Sequence, residues 1–535
     1  MFPLEHTLEV LALSVVLIAG LSVTGAIVTA RLLRARHLRW TWAAFGIPLA
    51  LLVMGSSVMI GISLGFASVL ACWLGAHWHR LDLNQGADIA EIARTRLSPL
   101  AVVKRAYQRR RIGRQGWIRD GRLVIGEDEQ GLPVRIPVGY ESGSHALVAG
   151  ATGSGKTVSE AWIAGRLIEQ GHGAIVIDPK GDPLLRSELH RAAQQREARF
   201  FEWTPQGPCV YNPYAHGSDS EIADKALAGE QFTEPHYLRQ AQRYLGHAVR
   251  ALQAAGVSVS PVSLMEHLDP LALEVSARQL PETEATSLLR YLDGLGDRQR
   301  RELAGVRDRL SILCESDINP WIGTSSDGTG GDQLDLSQAI QDRAVVYFRL
   351  DADRRPLVSQ MLAGAIVSDL VTLVGGLQGQ PVPTVVLIDE FSAIAAGQVA
   401  RLFARARSAG INLILSTQEL ADLTTAGGTG EGVLQAQVLA NVETVIAHRQ
   451  GVPESAELIA AMAGTRPAWV STEQTEQALL GAGPSGRGSR RRGYEFQIHP
   501  SQIKTLPTGW AAVLTPGTGP KPTITRIYHP SQAHK

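Results

Sequence analysis

Residues Gly150–Thr157 read Gly-Ala-Thr-Gly-Ser-Gly-Lys-Thr. A Gly-x-x-x-x-Gly-Lys-Thr run lets the backbone curl until its N–H groups converge on phosphate oxygens. The loop works only between a strand and a helix, and the sequence supplies both. His145–Ala149 is a short apolar run, and Val158, Ala161, Trp162, Ile163 and Leu167 recur at helical spacing after Lys156. The start of that helix adds partial positive charge. The expected roles follow. Gly150, Ala151, Thr152, Gly153, Ser154 and Gly155 cradle phosphates, Lys156 reaches the β- and γ-phosphates, and Thr157 ligates Mg²⁺. ATP and Mg²⁺ are the implied cofactors. The bland alternative is a glycine-rich turn with a solvent-facing lysine.

Further apolar runs at Ala174–Ile177, Ala344–Leu350, Thr384–Ile388, Ile411–Leu415, Val442–Ala447 and Trp510–Leu514 have the continuous character of strands buried on both faces. Helical patterns separate most of them. The predicted fold is α/β, a RecA-like P-loop core with a predominantly parallel sheet. Between Asn212 and Gln341 the alternation fails. Glu221–Ala254, Pro261–Leu280 and Pro281–Cys314 read as helices, followed by a Gly/Ser/Thr-rich loop at Gly323–Gly331. The expected organisation is an anchor at 1–80, a basic linker at 81–132, a first core segment at 133–215, an all-helical insertion at 216–341 and a second core segment at 342–535. Gly481–Gly493, with Arg487, Arg490, Arg491 and Arg492, reads as a mobile hairpin or surface loop.

The strand Val385–Ile388 ends in Asp389 and Glu390, at the edge where parallel sheets bind ligands. Asp389 is expected to hold Mg²⁺ through water, and Glu390 to polarise the attacking water. A helix cap at the strand end is the structural alternative. Gln418 ends the next apolar run and is placed to sense the γ-phosphate. Arg407 precedes that run; it is either an arginine finger on a neighbouring subunit or, with Arg405, compensation for a helix dipole. Asp178-Pro179-Lys180-Gly181-Asp182 closes the second strand. It is either a structural turn or a nucleotide contact through Asp178 and Lys180.

The 535 residues are 44% hydrophobic and 19% charged with zero formal net charge, so no global field announces a partner. Cys72, Cys209 and Cys314 are far apart and form no zinc or disulfide pattern. Leu8–Ala30 is long and apolar enough to span a bilayer. Trp42–Trp78 is a second apolar stretch, and Arg31, Arg34, Arg36 and Arg39 lie between the two. Two topologies are open. Two spans put the arginines outside, against the usual preference for cytoplasmic positive charge. Three spans, with the second stretch turning near Gly55–Ser57, keep them inside but make each half about 17 residues, the lower limit. Span length tips the balance towards two. Lys104, Arg105, Arg109, Arg110, Arg111, Arg114 and Arg119, beside Tyr107 and Trp117, suit anionic headgroups first and DNA phosphates second.

Together these residues resemble the type IV coupling proteins of conjugation, the TraD/TraG group. The resemblance rests on the N-terminal apolar stretches, the Gly150–Thr157 loop, Asp178-Pro179-Lys180-Gly181 and Tyr211-Asn212-Pro213. It also rests on the helical insertion, Asp389-Glu390-Phe391, Ser416-Thr417-Gln418 and Leu506-Pro507-x-Gly509. About 380 to 510 is similar to the part of TraD/TraG said to recognise the relaxosome protein TraM. The resemblance implies a homo-hexameric, inner-membrane DNA motor with a cytoplasmic ATPase. It would pass single-stranded DNA with an attached relaxase to a type IV secretion channel, with a relaxosome accessory protein as partner. The short, basic segment between the apolar stretches departs from the family pattern. Two rivals stand beside this reading. One is an FtsK/HerA-like double-strand DNA translocase, for which a C-terminal winged helix is expected. The other is a docking receptor for secretion substrates that uses ATP only as a switch.

Overall fold

A computed structural model describes residues 2–36, 38, 40–84, 103, 106–108, 110, 112, 116–140, 143–228, 235–324, 331–394, 396–425, 432–478, 481–515 and 521–534. Of the basic linker residues, Lys104, Arg105, Arg109, Arg111 and Arg114 lie outside this set, as do residues 325–330 of the expected loop. The chain divides into two compact units. The larger comprises Trp117–Gly126, Arg135–Ala463 and Ile498–Lys535; the other comprises Met1–Gly116, Glu127–Val134 and Gly464–Gln497.

The larger unit is built on a mostly parallel sheet, as expected. Seven parallel strands run in the order Phe200–Trp203, Val345–Arg349, Gly173–Asp178, Thr384–Ile388, Ile411–Thr417, His145–Ala149 and Thr444–Ala447. Antiparallel Trp510–Leu514 and Thr523–Ile527 extend it, followed by Arg122–Asp128 and Ile118–Arg119. The core therefore starts near residue 118, earlier than the expected 133. Those strands carry arginines at their ends, which hide them in a basic segment. The central strands are covered on both faces, and Val385, Val386, Leu387 and Ile388 are wholly buried.

Helix Pro356–Gly376 is as long and apolar as a membrane span, yet two thirds of it is buried. Leu362, Ile366 and Leu370 belong to the main core, so its hydrophobicity serves the protein interior. Its one buried acid, Asp369, is met by Lys225 Nζ at 2.6 Å and by the Tyr211 hydroxyl at 2.9 Å. Lys225 comes from the first helix of the insertion, Asp219–Ala226, which opens with a capping box between Ser218 and Glu221. Five more helices follow: Pro235–Ala254, Pro261–Glu266, Pro270–Ala277, Glu282–Asp293 and Asp297–Cys314. They enclose a core of their own. Each long helical pattern in the sequence is divided in two, at Pro270 and near Gly294–Gly296 in the second and third cases. Asn212 roots the insertion, donating from its side chain to Val259 O at 2.8 Å and accepting from the Tyr214 amide at 3.0 Å.

In the other unit, Phe2–Ala35 and Val58–Asn84 are long helices, and a 3₁₀ turn Trp40–Phe45 with helix Gly46–Met54 lies between them. Ser22 Oγ donates to Ser63 O at 3.2 Å, and the Arg34 guanidinium lies 5.9 Å from the Trp78 ring. The contacts advance together along both chains, so the two long helices run parallel. The segment between them runs back. A Cβ at Gly75 would meet Trp40, one at Gly46 would meet Ser68, and one at Gly61 would meet Met54. Thr465–Ala478 and Gly481–Phe496 form a two-stranded antiparallel ribbon, so the arginine-rich segment is one arm of a hairpin.

Breaking the Lys225–Asp369 pair strands a buried charge. Lys225→Met is expected to cost about 3–5 kcal/mol in denaturant unfolding, and Asp369→Asn in the same chain to restore part of it.

Candidate functional site

The C-terminal edge of the parallel strands converges on a cavity of about 480 Å³. It is lined by the Gly150–Val158 segment except Ser154, and by Lys180–Asp182, Leu184, Asp389, Glu390, Gln418 and Thr508. Sheet order makes the convergence. The strand carrying Asp389 lies beside the strand ending at Asp178 on one side and the strand carrying Ser416 on the other; the P-loop strand follows next.

The P-loop has the geometry its glycines require. Gly155 takes φ +106, and a Cβ there would come within 2.9 Å of the Gly509 nitrogen. A Cβ at Gly150 would come 2.5 Å from Ser154 Oγ. Helix Lys156–Glu169 begins with no side-chain cap and no acid in its first turn. The Ser154 hydroxyl is buried without a hydrogen-bond partner among the described residues. A helix start left open in this way suits an anion, so the residues present fit a phosphate group.

Lys156 Nζ donates to Asp389 Oδ1 at 2.5 Å and to Glu390 Oε1 at 3.1 Å. Burial opposes its charge, but Glu160, Asp389 and Glu390 outweigh burial and hold its pKa above the usual lysine value. Glu390 Oε1 also accepts from Lys180 Nζ and from Gln418 Nε2, both at 3.0 Å. Glu390 sits at φ +48, a backbone state that costs a non-glycine residue about 1–3 kcal/mol. Asp389 Oδ1 further accepts from Ser416 Oγ at 2.9 Å and from the Glu390 amide at 3.0 Å. Thr157 lines the same cavity. Lys156, Thr157, Lys180, Asp389, Glu390 and Gln418 are thus brought together.

Two expected residues stand elsewhere. Asp178 is fully buried and does not line the cavity. Its carboxylate accepts from the amides of Lys180, Gly181 and Asp182 and from the Tyr347 hydroxyl. It organises the turn that presents Lys180, which corrects the expectation of a direct nucleotide contact. Arg407 lies before the strand Ile411–Thr417, at the sheet's opposite edge, and pairs with Glu443 at 2.7 Å while half exposed. It has no part in its own chain's cavity.

The sequence reading missed Glu160. This wholly buried carboxyl is hydrogen-bonded to Ser416 Oγ, and its pKa is pushed up to about 8 by burial and then by the charge on Asp389. The one available signal was its spacing, four residues after Lys156 and so on the same helix face.

Residues 383–508 match the family described as the TraM recognition site of TraD and TraG. Residues 122–199 match the helicase HerA-like C-terminal family. Among solved structures, the bacterial conjugative coupling protein TrwBdeltaN70 superposes with a TM-score of 0.54 at 15% identity, covering 78% of this chain and 91% of that one. This chain has the coupling-protein fold. TrwB in complex with ADP and Mg²⁺ gives a TM-score of 0.54 at 16% identity, over 78% of this chain and 92% of that one. TrwB with a non-hydrolysable ATP analogue gives 0.52 at 16% identity, with the same coverage. No curated protein sequence matches. The resemblance to type IV coupling proteins read from the sequence is borne out.

Glu160 sets a pH dependence on this core. Its folded pKa lies above the unfolded value, so the folded state holds a proton that the unfolded chain releases from about pH 4.5 upward. Its contribution is full below that point and is lost as pH rises through about 8. Glu160→Gln should flatten this limb. Unfolding midpoints of nucleotide-free protein between pH 5 and 8.5 are expected to fall more steeply in the parent chain than in the variant.

Proposed function

We propose that this chain is a membrane-anchored ATPase that drives DNA transfer in conjugation. It would act as a ring of six, delivering single-stranded DNA with its bound relaxase to a type IV secretion channel. The observation that carries the reading is the convergence of Lys156, Lys180 and Gln418 on Glu390, beside Asp389 and an open P-loop. The match to a TraM recognition site over residues 383–508 supports a relaxosome accessory protein as partner.

The chain's own groups divide the work. The P-loop amides and Lys156 hold the phosphates of ATP, and Lys156 leaves its carboxylates to do so. Thr157 and Asp389, the latter through water, would hold Mg²⁺, which supplies neutralisation of phosphate charge. Glu390, freed of Lys156, orients the attacking water, with Gln418 fixing its carboxylate. Lys180 is the cation placed to follow the γ-phosphate. Arg407, or Arg405 beside it, is proposed to reach the neighbouring subunit's site, since Arg407 is remote from its own.

ATP turnover by the intact protein is expected to rise with single-stranded DNA. Lys156→Ala should lose nucleotide binding, and Glu390→Gln should bind ATP with turnover at least 100-fold lower. Nucleotide binding without any turnover would favour the switched docking receptor. The HerA-like match at residues 122–199 supports a second reading, a double-strand DNA translocase. Stimulation by duplex and not by single strands would decide for it.

The anchor is proposed to cross the inner membrane three times. Two parallel long helices can both span only if the chain between them also crosses. The intervening Trp40–Met54 spans roughly 25 Å, against about 30 Å of hydrocarbon. The chain then turns near Gly55–Ser57. Arg31, Arg34 and Arg36 share the cytoplasmic end with Trp78 and the ATPase, which satisfies the charge preference. With an impermeant thiol reagent on spheroplasts and the native cysteines replaced, Ser56→Cys should label and Arg36→Cys should not. The reverse pattern would support two spans.

A further inference from the structure

The sequence motif Leu506-Pro507-Thr508-Gly509 borders the cavity, which Thr508 helps to line, but holds none of the groups assigned to the chemistry above. Its turn lies against the P-loop. Thr508 Oγ1 donates to Gly153 O at 3.1 Å, and the Gly509 amide donates to Ser154 O at 2.9 Å. Gly509 takes φ +80, and its backbone packs so close to Gly155 that a Cβ on Gly155 would come within 3.0 Å of the Gly509 Cα. Trp510 follows at once and opens the antiparallel strand Trp510–Leu514.

His448 completes the contact. It follows strand Thr444–Ala447 and is fully buried. Its amide donates to Ala149 O at 2.7 Å, immediately before the P-loop. Its Nδ1 lies 3.0 Å from Trp510 O and its Nε2 lies 2.8 Å from Ser159 Oγ. A carbonyl only accepts, so Nδ1 carries the proton, and Nε2 accepts from the Ser159 hydroxyl. One neutral imidazole therefore ties the P-loop helix to the strand that follows Gly509. The same hairpin ends near Tyr528, whose ring packs edge-on against Trp162 of the P-loop helix, 5.4 Å between centroids.

We propose that the Thr508–Trp510 turn, together with His448, is a latch that positions the P-loop for phosphate. The proposal rests on the reading of the P-loop as the ATP site. The physical reason is peptide planarity. In a trans peptide the C=O and N–H point in opposite directions. Holding Ser154 O outward against the Gly509 amide fixes the Gly155 N–H towards the cavity. Holding Gly153 O against Thr508 restrains the preceding peptide unit. The Ser154 amide already donates to Ala151 O at 3.0 Å, so the amide that the latch preorganises is that of Gly155, which phosphate would otherwise have to order at its own cost. Thr508 and His448 are positioning residues.

The test uses the full-length protein in detergent. Thr508→Val removes the hydroxyl donor while keeping the side chain's shape, at an exposed position where folding is not at stake. The variant is expected to raise the KM for ATP about twofold to tenfold, the range for one hydrogen bond, with kcat within twofold. Thr508→Ser should restore the parent value. Inorganic tripolyphosphate, competing with a fluorescent ATP analogue, should weaken by the same factor, because the latch acts on the phosphate loop. A loss confined to ATP would mean that Thr508 touches the nucleoside, and would overturn the latch. So would an unchanged KM in Thr508→Val, or no rescue by serine. Ser159→Ala gives a second reading from the His448 side, remote from the cavity, with the same direction expected; a loss in Thr508→Val with none in Ser159→Ala would mean that the Thr508 hydroxyl touches phosphate itself, and would overturn the latch. Lys156→Ala serves as the control for the underlying assignment: if it still binds ATP and tripolyphosphate, the P-loop reading fails, and not the latch alone.

Discussion

Lys156 lies between two carboxylates, Asp389 and Glu390. They compensate its charge and it compensates theirs. The three groups are each about one-tenth exposed, so leaving any of them uncompensated would be costly. Lys180 and Gln418 share Glu390 with Lys156, so the removal of one donor leaves the carboxylate held by two. The charges therefore compensate one another within the protein, with more than one donor on Glu390. The arrangement exists because the strand ending at Ile388 is flanked by those ending at Asp178 and Thr417.

How far this was legible in the sequence depends on burial. Strands covered on both faces print continuous apolar runs, and Thr384–Ile388 and Trp510–Leu514 appear at the expected bounds. Phe200–Trp203 at the sheet edge is buried only at alternate residues, with Glu202 on its open side, and it was missed. Thr523–Ile527 was missed for the same reason. At the site, residues fixed by local backbone were readable: the P-loop, Asp389, Glu390 and Gln418. Glu160 and His448 have meaning only through partners outside any local pattern, Ser416 at 256 residues and Trp510 at 62. Asp178 misled because a strand-end acid has the same sequence signature whether it faces a ligand or gathers the amides of its own turn.

Hydropathy alone has a similar limit. Pro356–Gly376 and Val58–Trp78 satisfy the same length and apolarity test. They differ in what covers them: two thirds of the first is enclosed by protein, against 28% of the second. Within the anchor, span length argued for two crossings. The shared direction of the long helices argues for three, and it also removes the conflict with the arginines. Direction is the stronger constraint, because a short helix can tilt or thin the bilayer at modest cost, whereas chain connectivity allows no exception.

The ATP-site candidate joins residues from both ends of the core, and the helical insertion interrupts the sequence between them. Closing a loop costs only about 0.6 kcal/mol more for each doubling of its length. A long insertion is therefore tolerable if its two ends are held together. Here they are. Cys209–Tyr211 and Asp332–Leu334 pair as parallel strands, pinning entry and exit side by side. Asn212 and the Lys225–Asp369 pair then fix the first helices to the core. The kinetic consequence differs from the thermodynamic one. Thr508 and Gly153 are 355 residues apart, so this contact on the P-loop is completed only when the C-terminal hairpin docks. Contacts of such separation form slowly.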